Sequence, residues 1–234
     1  AVRHVGQDRD TLDQHGLDRS KEAAQRSLTI AAISATAAVA LGTASGLALS
    51  RFGRFPGRGL LSLMNSAPMV MPDVMLGLSS LLLFVGLQQI FGWPERGMTT
   101  ITLAHITLTA CYVTVVVRSR MTSMDASLEE AAMDLGAKPW RVFFVITLPL
   151  IAPALLAGWL LAFTLSLDDL VIASFTSGPG STTLPMLVYS KVKIGVTPEI
   201  NALTTIIVVL VAIGVSLAGV LMHRRERSLA RLRD

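Results

Sequence analysis

Thr100-Ile101-Thr102-Leu103-Ala104-His105-Ile106-Thr107-Leu108-Thr109-Ala110-Cys111-Tyr112-Val113-Thr114-Val115-Val116-Val117 holds no Asp, Glu, Lys or Arg and closes on Arg118 and Arg120. An α-helix needs roughly 20 largely apolar residues to cross about 30 Å of hydrocarbon, so this stretch reads as a membrane span. Gly92-Trp93-Pro94 before it supplies an interfacial tryptophan and a turn. Similar stretches flank it. Residues 27–49 are rich in Ala, Thr, Gly and Ser, which lets helix backbones approach closely. Residues 60–91 are apolar but broken by Pro68 and Pro72. Each proline removes an amide donor and crowds the preceding turn, so a short helix or re-entrant piece is expected before a span at about 70–91. Further spans are expected at 142–165 and 201–222, giving an all-α polytopic bundle of five spans.

Composition agrees with this class. With 52% hydrophobic and 15% charged residues, the chain has too little polar surface for a water-soluble globule of 234 residues. The net charge of +4 does not imply nucleic acid, because the basic residues lie in short connections between apolar stretches. Arg51, Arg54, Arg58, Arg118, Arg120, Lys138, Arg141 and the tail from Arg224 to Arg233 fall on one side, against Arg96, Lys191 and Lys193 on the other. The positive-inside rule therefore puts the 51–58 loop, the 118–141 loop and the C-terminus in the cytoplasm, and the N-terminal arm outside. That arm, residues 1–26, is polar and reads as a solvated or poorly ordered segment or a truncation scar, with no recognisable signal peptide. Residues 223–234 form a basic tail. The lone Cys111 forms no intrachain disulfide and leaves the redox compartment undetermined.

The 118–141 loop has a helical pattern through Met124, Leu128, Ala131, Ala132 and Leu135. Within and after it stand Glu130-Ala131-Ala132, Gly136, Ile146, Leu148 and Pro149. Small alanines let a projecting helix enter a groove on a soluble partner, Gly136 permits a sharp turn, and Glu130 can meet a basic or amide-lined rim. The plainer reading is that Glu129, Glu130 and Asp134 merely solvate an exposed loop. The spacing resembles the Glu-Ala-Ala signature of the permease subunits of binding-protein-dependent ABC importers, matched at every defining position. That resemblance implies a type I permease fold in the bacterial inner membrane, with Glu130, Ala131, Ala132 and Gly136 coupling the bundle to a cytoplasmic ATPase present in two copies. It further implies a second, related permease subunit and a periplasmic binding protein. No phosphate-binding Gly-x-x-x-x-Gly-Lys-[Ser/Thr] loop occurs in the chain, so it is expected to be a transport subunit rather than an ATPase, with no cofactor or metal of its own.

Within that family, the run from Gly158 through Leu167-Asp168-Asp169-Leu170 to Phe175, with Met71-Pro72-Asp73-Val74 and Thr182-Thr183-Leu184-Pro185-Met186, is most similar to polyamine permeases, those for putrescine above all. Carboxylates inside a membrane bundle are costly unless they face a cavity or a partner, so Asp73, Asp168 and Asp169 are candidates for a cation path. The competing reading makes one of the Asp168–Asp169 pair, or Asp73, the cap of a following helix. Trp93 and Trp159 read as interfacial or packing residues, and His105 as a satisfied bundle residue. Spermidine or another small cation is the alternative substrate. Family members usually carry one more helix before residue 27, giving six spans; residues 1–26 supply none, so that helix is read as missing. A non-transporting structural subunit or an inactive truncated fragment is the remaining alternative.

Overall fold

A computed structural model describes residues 2–194 together with 205 and 209, and side chains from Asp18 onward. All regular structure among the described residues is helical: α1 (Val2–Arg51), α2 (Arg58–Val70), α3 (Asp73–Phe91), α4 (Met98–Ser123), α5 (Ser127–Asp134), α6 (Pro139–Val142), a π-helical turn (Phe143–Thr147), α7 (Leu148–Asp168), α8 (Val171–Thr176) and α9 (Leu184–Ile194). The chain divides into two compact units, 1–187 and 188–234. The second is described only at residues 188–194, 205 and 209.

Four of the expected spans have helices long and apolar enough to cross a membrane: Asp18–Arg51, Asp73–Phe91, Met98–Ser123 and Pro139–Asp168. The expected fifth, 201–222, lies outside the described residues. The polar arm differs from expectation, because helix α1 already includes residues 2–26. Lys21, Glu22, Ala23, Ala24, Gln25 and Arg26 are strong helix formers, Arg26 bonds Glu22 one turn back at 2.9 Å, and Ala23 is buried.

The first unit is built around α4. Half of its apolar window, 50%, is buried, against 11% for α3 and 17% for the α6–α7 segment. Ala35 and Ala38 of α1, Val113, Val117 and Met121 of α4, and Ile151 and Ala162 of α7 form one apolar cluster. Glycine makes the α1–α4 contact possible: a Cβ on Gly42 would stand 2.7 Å from Val113 Cβ, and one on Gly46 would stand 3.0 Å from Val117 Cγ1. Such small-residue seams are how helices gain packing energy where lipid competes for apolar contacts.

The proline break falls where the sequence puts it. Pro68 is inside α2, whereas Met71 is extended (ψ 139°), since a residue preceding proline is driven from helical geometry, and Pro72 (ψ 139°) continues the break up to α3. Pro149 and Pro153, also one turn apart, both lie within α7. Pro149 is accommodated in the first turn, directly after the π turn in which the Leu148 amide reaches back to Phe143 O.

Candidate functional site

The 118–141 loop folds as a helix with a defined stop. Asp125 accepts the Ser127 amide at 3.0 Å ahead of α5, and this bond holds its carboxyl below the usual carboxylate range. At the other end Gly136 takes φ +86°, Gly136 N–H donates to Met133 O (2.9 Å) and Ala137 N–H to Ala132 O (3.1 Å). This pair of reversed bonds terminates a helix with a glycine in the left-handed region. Pro139 then opens α6, a position where its missing amide costs nothing. Glu130 and Ala131 are exposed, Ala132 is half-buried, and no residue of α5 is buried. Leu128, Met133 and Leu135 are exposed as well.

Glu129 behaves differently from its neighbour, which the solvation reading of the sequence missed. Its Oε2 lies 2.8 Å from Arg51 Nε at the end of α1, both side chains being largely buried (17% and 13% exposed for Arg51 and Glu129). Its Oε1 accepts the Thr147 hydroxyl at 2.7 Å. The Arg51 contact is an ion pair whose angle falls outside hydrogen-bond geometry, so Arg51 Nε and Nη2 are buried without a hydrogen bond. These groups border a cavity of about 620 Å³ lined also by Phe52, Met133, Trp140 and Phe144.

The second feature is a helix break. α7 and α8 run successively back along α4: Gly158 packs near Val113, Ser166 meets His105, and Thr176 O accepts Thr100 Oγ1 at 2.7 Å. Between them Asp169 is extended (ψ 125°), so the chain is non-helical beside His105. That point is about 10 Å along α4 from Met98 at 1.5 Å per residue, well inside the length of the helix. Irregular backbone at such depth is tolerated where protein or a cavity satisfies its polar groups.

Here protein supplies the partners. Asp169 accepts the amides of Ile172 (3.3 Å) and Ala173 (2.7 Å), so it is the cap of α8. His105, only 2% exposed, has Nε2 at 3.1 Å from Asp169 Oδ2 and Nδ1 at 2.6 Å from Ser166 Oγ. In the tautomer that carries hydrogen on Nε2, the ring donates to the carboxylate there and accepts the serine hydroxyl at Nδ1. At the far end of α8, Arg96 donates to Phe175 O (3.3 Å) and Ser177 O (2.9 Å). Asp168 is exposed and makes no ion pair among the described residues. Asp73 is exposed at the first position of α3 and makes no side-chain cap of its own helix. Four residues further on, Gly77 packs against Phe175 so tightly that a Cβ there would lie 2.6 Å from the ring. Trp159 stacks on Phe163 (5.1 Å) and donates to Thr36 at 3.1 Å, the packing role expected of it.

An apolar helical bundle with a projecting short helix and a broken span defines a polytopic membrane subunit. The chain belongs to the family described as binding-protein-dependent transport system inner membrane component, which it matches over residues 38–231. It is 60% identical over 218 residues to the putrescine transport system permease protein PotI of Escherichia coli K12, covering 93% of this chain and 77% of that one. It is 44% identical over 193 residues to the spermidine/putrescine transport system permease protein PotC of the same organism, covering 82% and 71%. Among solved structures, an amino acid ABC transporter described with histidines shares the fold at TM-score 0.61 and 19% identity, covering 92% of this chain and 97% of that one. The chain is thus an inner-membrane, multi-pass permease subunit of an ABC importer and not an enzyme; members of this family work with a binding protein and a separate ATPase.

Proposed function

We propose that this chain is a permease subunit that moves a polyamine, putrescine first, across the bacterial inner membrane. The observation that carries the substrate class is the 60% identity to a putrescine permease across 93% of the chain. The geometry supports it: at the α7–α8 break Asp169 is committed to the fold while Asp168 stays exposed. An uncommitted carboxylate inside a span is costly unless it serves a cationic solute or a path. Asp168 and, at the second break, Asp73 are assigned to that path. Asp169 contributes by holding the break open. The 44% identity to a spermidine/putrescine permease makes spermidine the second reading.

The loop 118–141 carries the coupling helix α5, with Glu130 and Ala131 presented to the ATPase and Gly136 setting the turn from α5 into the next helix. The excess of Lys and Arg in the 51–58 and 118–141 connections and in the tail 223–234 supports a cytoplasmic position for them, with residues 1–26 on the other side. The working complex pairs this chain with a second, related permease around one pore, two ATPase copies and one polyamine-binding protein.

The test is ATP hydrolysis by the reconstituted complex as binding protein is added empty, with putrescine, or with spermidine. Stronger stimulation by the putrescine-loaded form is expected. Equal rates in all three states would sink the substrate assignment.

A further inference from the structure

Adjacent residues on a helix point about 100° apart, and although Glu129 and Glu130 of α5 both border the cavity, only Glu129 makes an ion pair and a hydrogen bond with the bundle among the described residues. Glu130 faces outward and is exposed, whereas Glu129 turns into the bundle. We propose that Glu129 is the positioning residue through which movement of α5 is transmitted to the spans, an inference that rests on reading α5 as the coupling helix.

Its two oxygens are divided between different helices. Oε2 holds Arg51, the last residue of α1, at 2.8 Å, and Oε1 accepts from Thr147, the last residue of the π turn that leads into α7, at 2.7 Å. α1 and α7 both contribute to the central cluster on α4, so a displacement of α5 is applied to two of the three core helices at their ends. Arg58 extends the chain of contacts. Its guanidinium donates to Leu49 O (2.8 Å), Phe52 O (2.7 Å) and Gly53 O, fixing the start of α2 to the same end of α1. From there α2 leads through Pro72 to α3 and its first residue, Asp73.

Apolar packing cannot replace this tie. The large apolar side chains of α5, Leu128 and Met133, are exposed, and the cavity of about 620 Å³ lies between α5, the end of α1 and the π turn. Across such a gap a charge pair and a hydrogen bond carry what a packed surface would otherwise carry. The π turn is itself a place where a helix changes register locally. The charge on Glu129 also compensates Arg51, whose Nε and Nη2 have no hydrogen bond; reversing either charge alone sets like charges together, and reversing both restores the pair.

The experiment uses the assembled complex of this chain, its partner permease, the ATPase and the binding protein. Glu129→Gln, Glu129→Arg, Arg51→Glu and the double reversal are compared for retention of the ATPase, hydrolysis and uptake. The reversals are expected to retain the ATPase yet lower solute moved per ATP hydrolysed roughly tenfold, within the range of coupling between sites, with the double reversal recovering most of it. Glu129→Gln, which keeps an acceptor for Thr147, gives a smaller loss. An unchanged ratio in Glu129→Gln and in whichever reversal assembles overturns the proposal, as does a double reversal no better than its parents.

A readout independent of substrate separates this from the transport assignment. Spin labels at the exposed positions Leu60 of α2 and Leu128 of α5, in a Cys111→Ser background, report whether the two helices move together when ATP and vanadate are added. The wild-type distance is expected to stay fixed, and in Glu129→Gln to shift or broaden by about one helical turn, roughly 5 Å. The same fixed distance in both proteins overturns the proposal even if no polyamine is transported.

Discussion

Replacing Asp169 by alanine removes one acceptor from three donors at once: the Ile172 and Ala173 amides at 3.3 and 2.7 Å and His105 Nε2 at 3.1 Å. Loss of a helix cap costs about 0.5–2 kcal/mol. Leaving the buried imidazole N–H without a partner adds about 1–3 kcal/mol. The two together come to roughly 2–4 kcal/mol, since the effects share one carboxylate and do not fully add. Asp168, one residue away, is exposed and makes no ion pair among the described residues, so its alanine variant should stay within about 0.5 kcal/mol of wild type. The assay is thermal unfolding of the purified permease complex, followed by a probe of aggregation or fluorescence. At about 2–4 °C per kcal/mol for a chain of this size, Asp169→Ala lowers the midpoint by roughly 5–15 °C and Asp168→Ala by less than about 2 °C. Uptake should show the reverse emphasis: Asp168→Ala assembles normally and transports poorly. Equal thermal shifts in the two variants, or a larger one at Asp168, would refute the division of labour between the adjacent carboxylates.

Gly42→Ala places a methyl 2.7 Å from Val113 Cβ, a branched side chain with no room to swing, and should destabilise the α1–α4 contact by about 1–3 kcal/mol; Val113→Ala in the same chain should recover much of the midpoint. Gly136 has nothing within 4 Å of its absent Cβ, so Gly136→Ala is strained only through φ +86°, by about 1–2 kcal/mol. Co-purification should show weaker ATPase retention for it, and a milder effect for Gly136→Asn. A Cβ on Gly178 would stand 2.0 Å from Arg96 O, so Gly178→Ala should break the Arg96 clamp on the end of α8 and raise amide hydrogen exchange through residues 171–176.

The apolar stretches were legible because span length is set by the bilayer and is visible without tertiary information. The interruption at Pro68–Pro72 was legible for the same reason: a missing amide and a clash are properties of the residue itself. The Glu-Ala-Ala spacing marked the loop, and Gly136 occupies the left-handed turn its position suggested. What the sequence left undecided is contact between distant residues. Either aspartate of the 168–169 pair satisfied the capping argument equally, and the folded geometry distinguishes them: Asp169 accepts the Ile172 and Ala173 amides and also meets His105, 64 positions away. Arg51 looked like one more topology charge in a basic connection, yet it closes α1 on Glu129. The helical state of residues 2–26 was missed because a polar segment without periodicity gives no core signal, while helix propensity and continuation from an adjoining span suffice to extend α1.

The most direct measurement is ATP-dependent uptake of labelled putrescine into proteoliposomes holding this chain, its partner permease, the ATPase and the binding protein. The account predicts uptake that unlabelled putrescine competes more strongly than spermidine, that vanishes with Glu130→Lys, and that falls with Asp168→Asn. A complex that hydrolyses ATP and imports a different solute while excluding putrescine would contradict it.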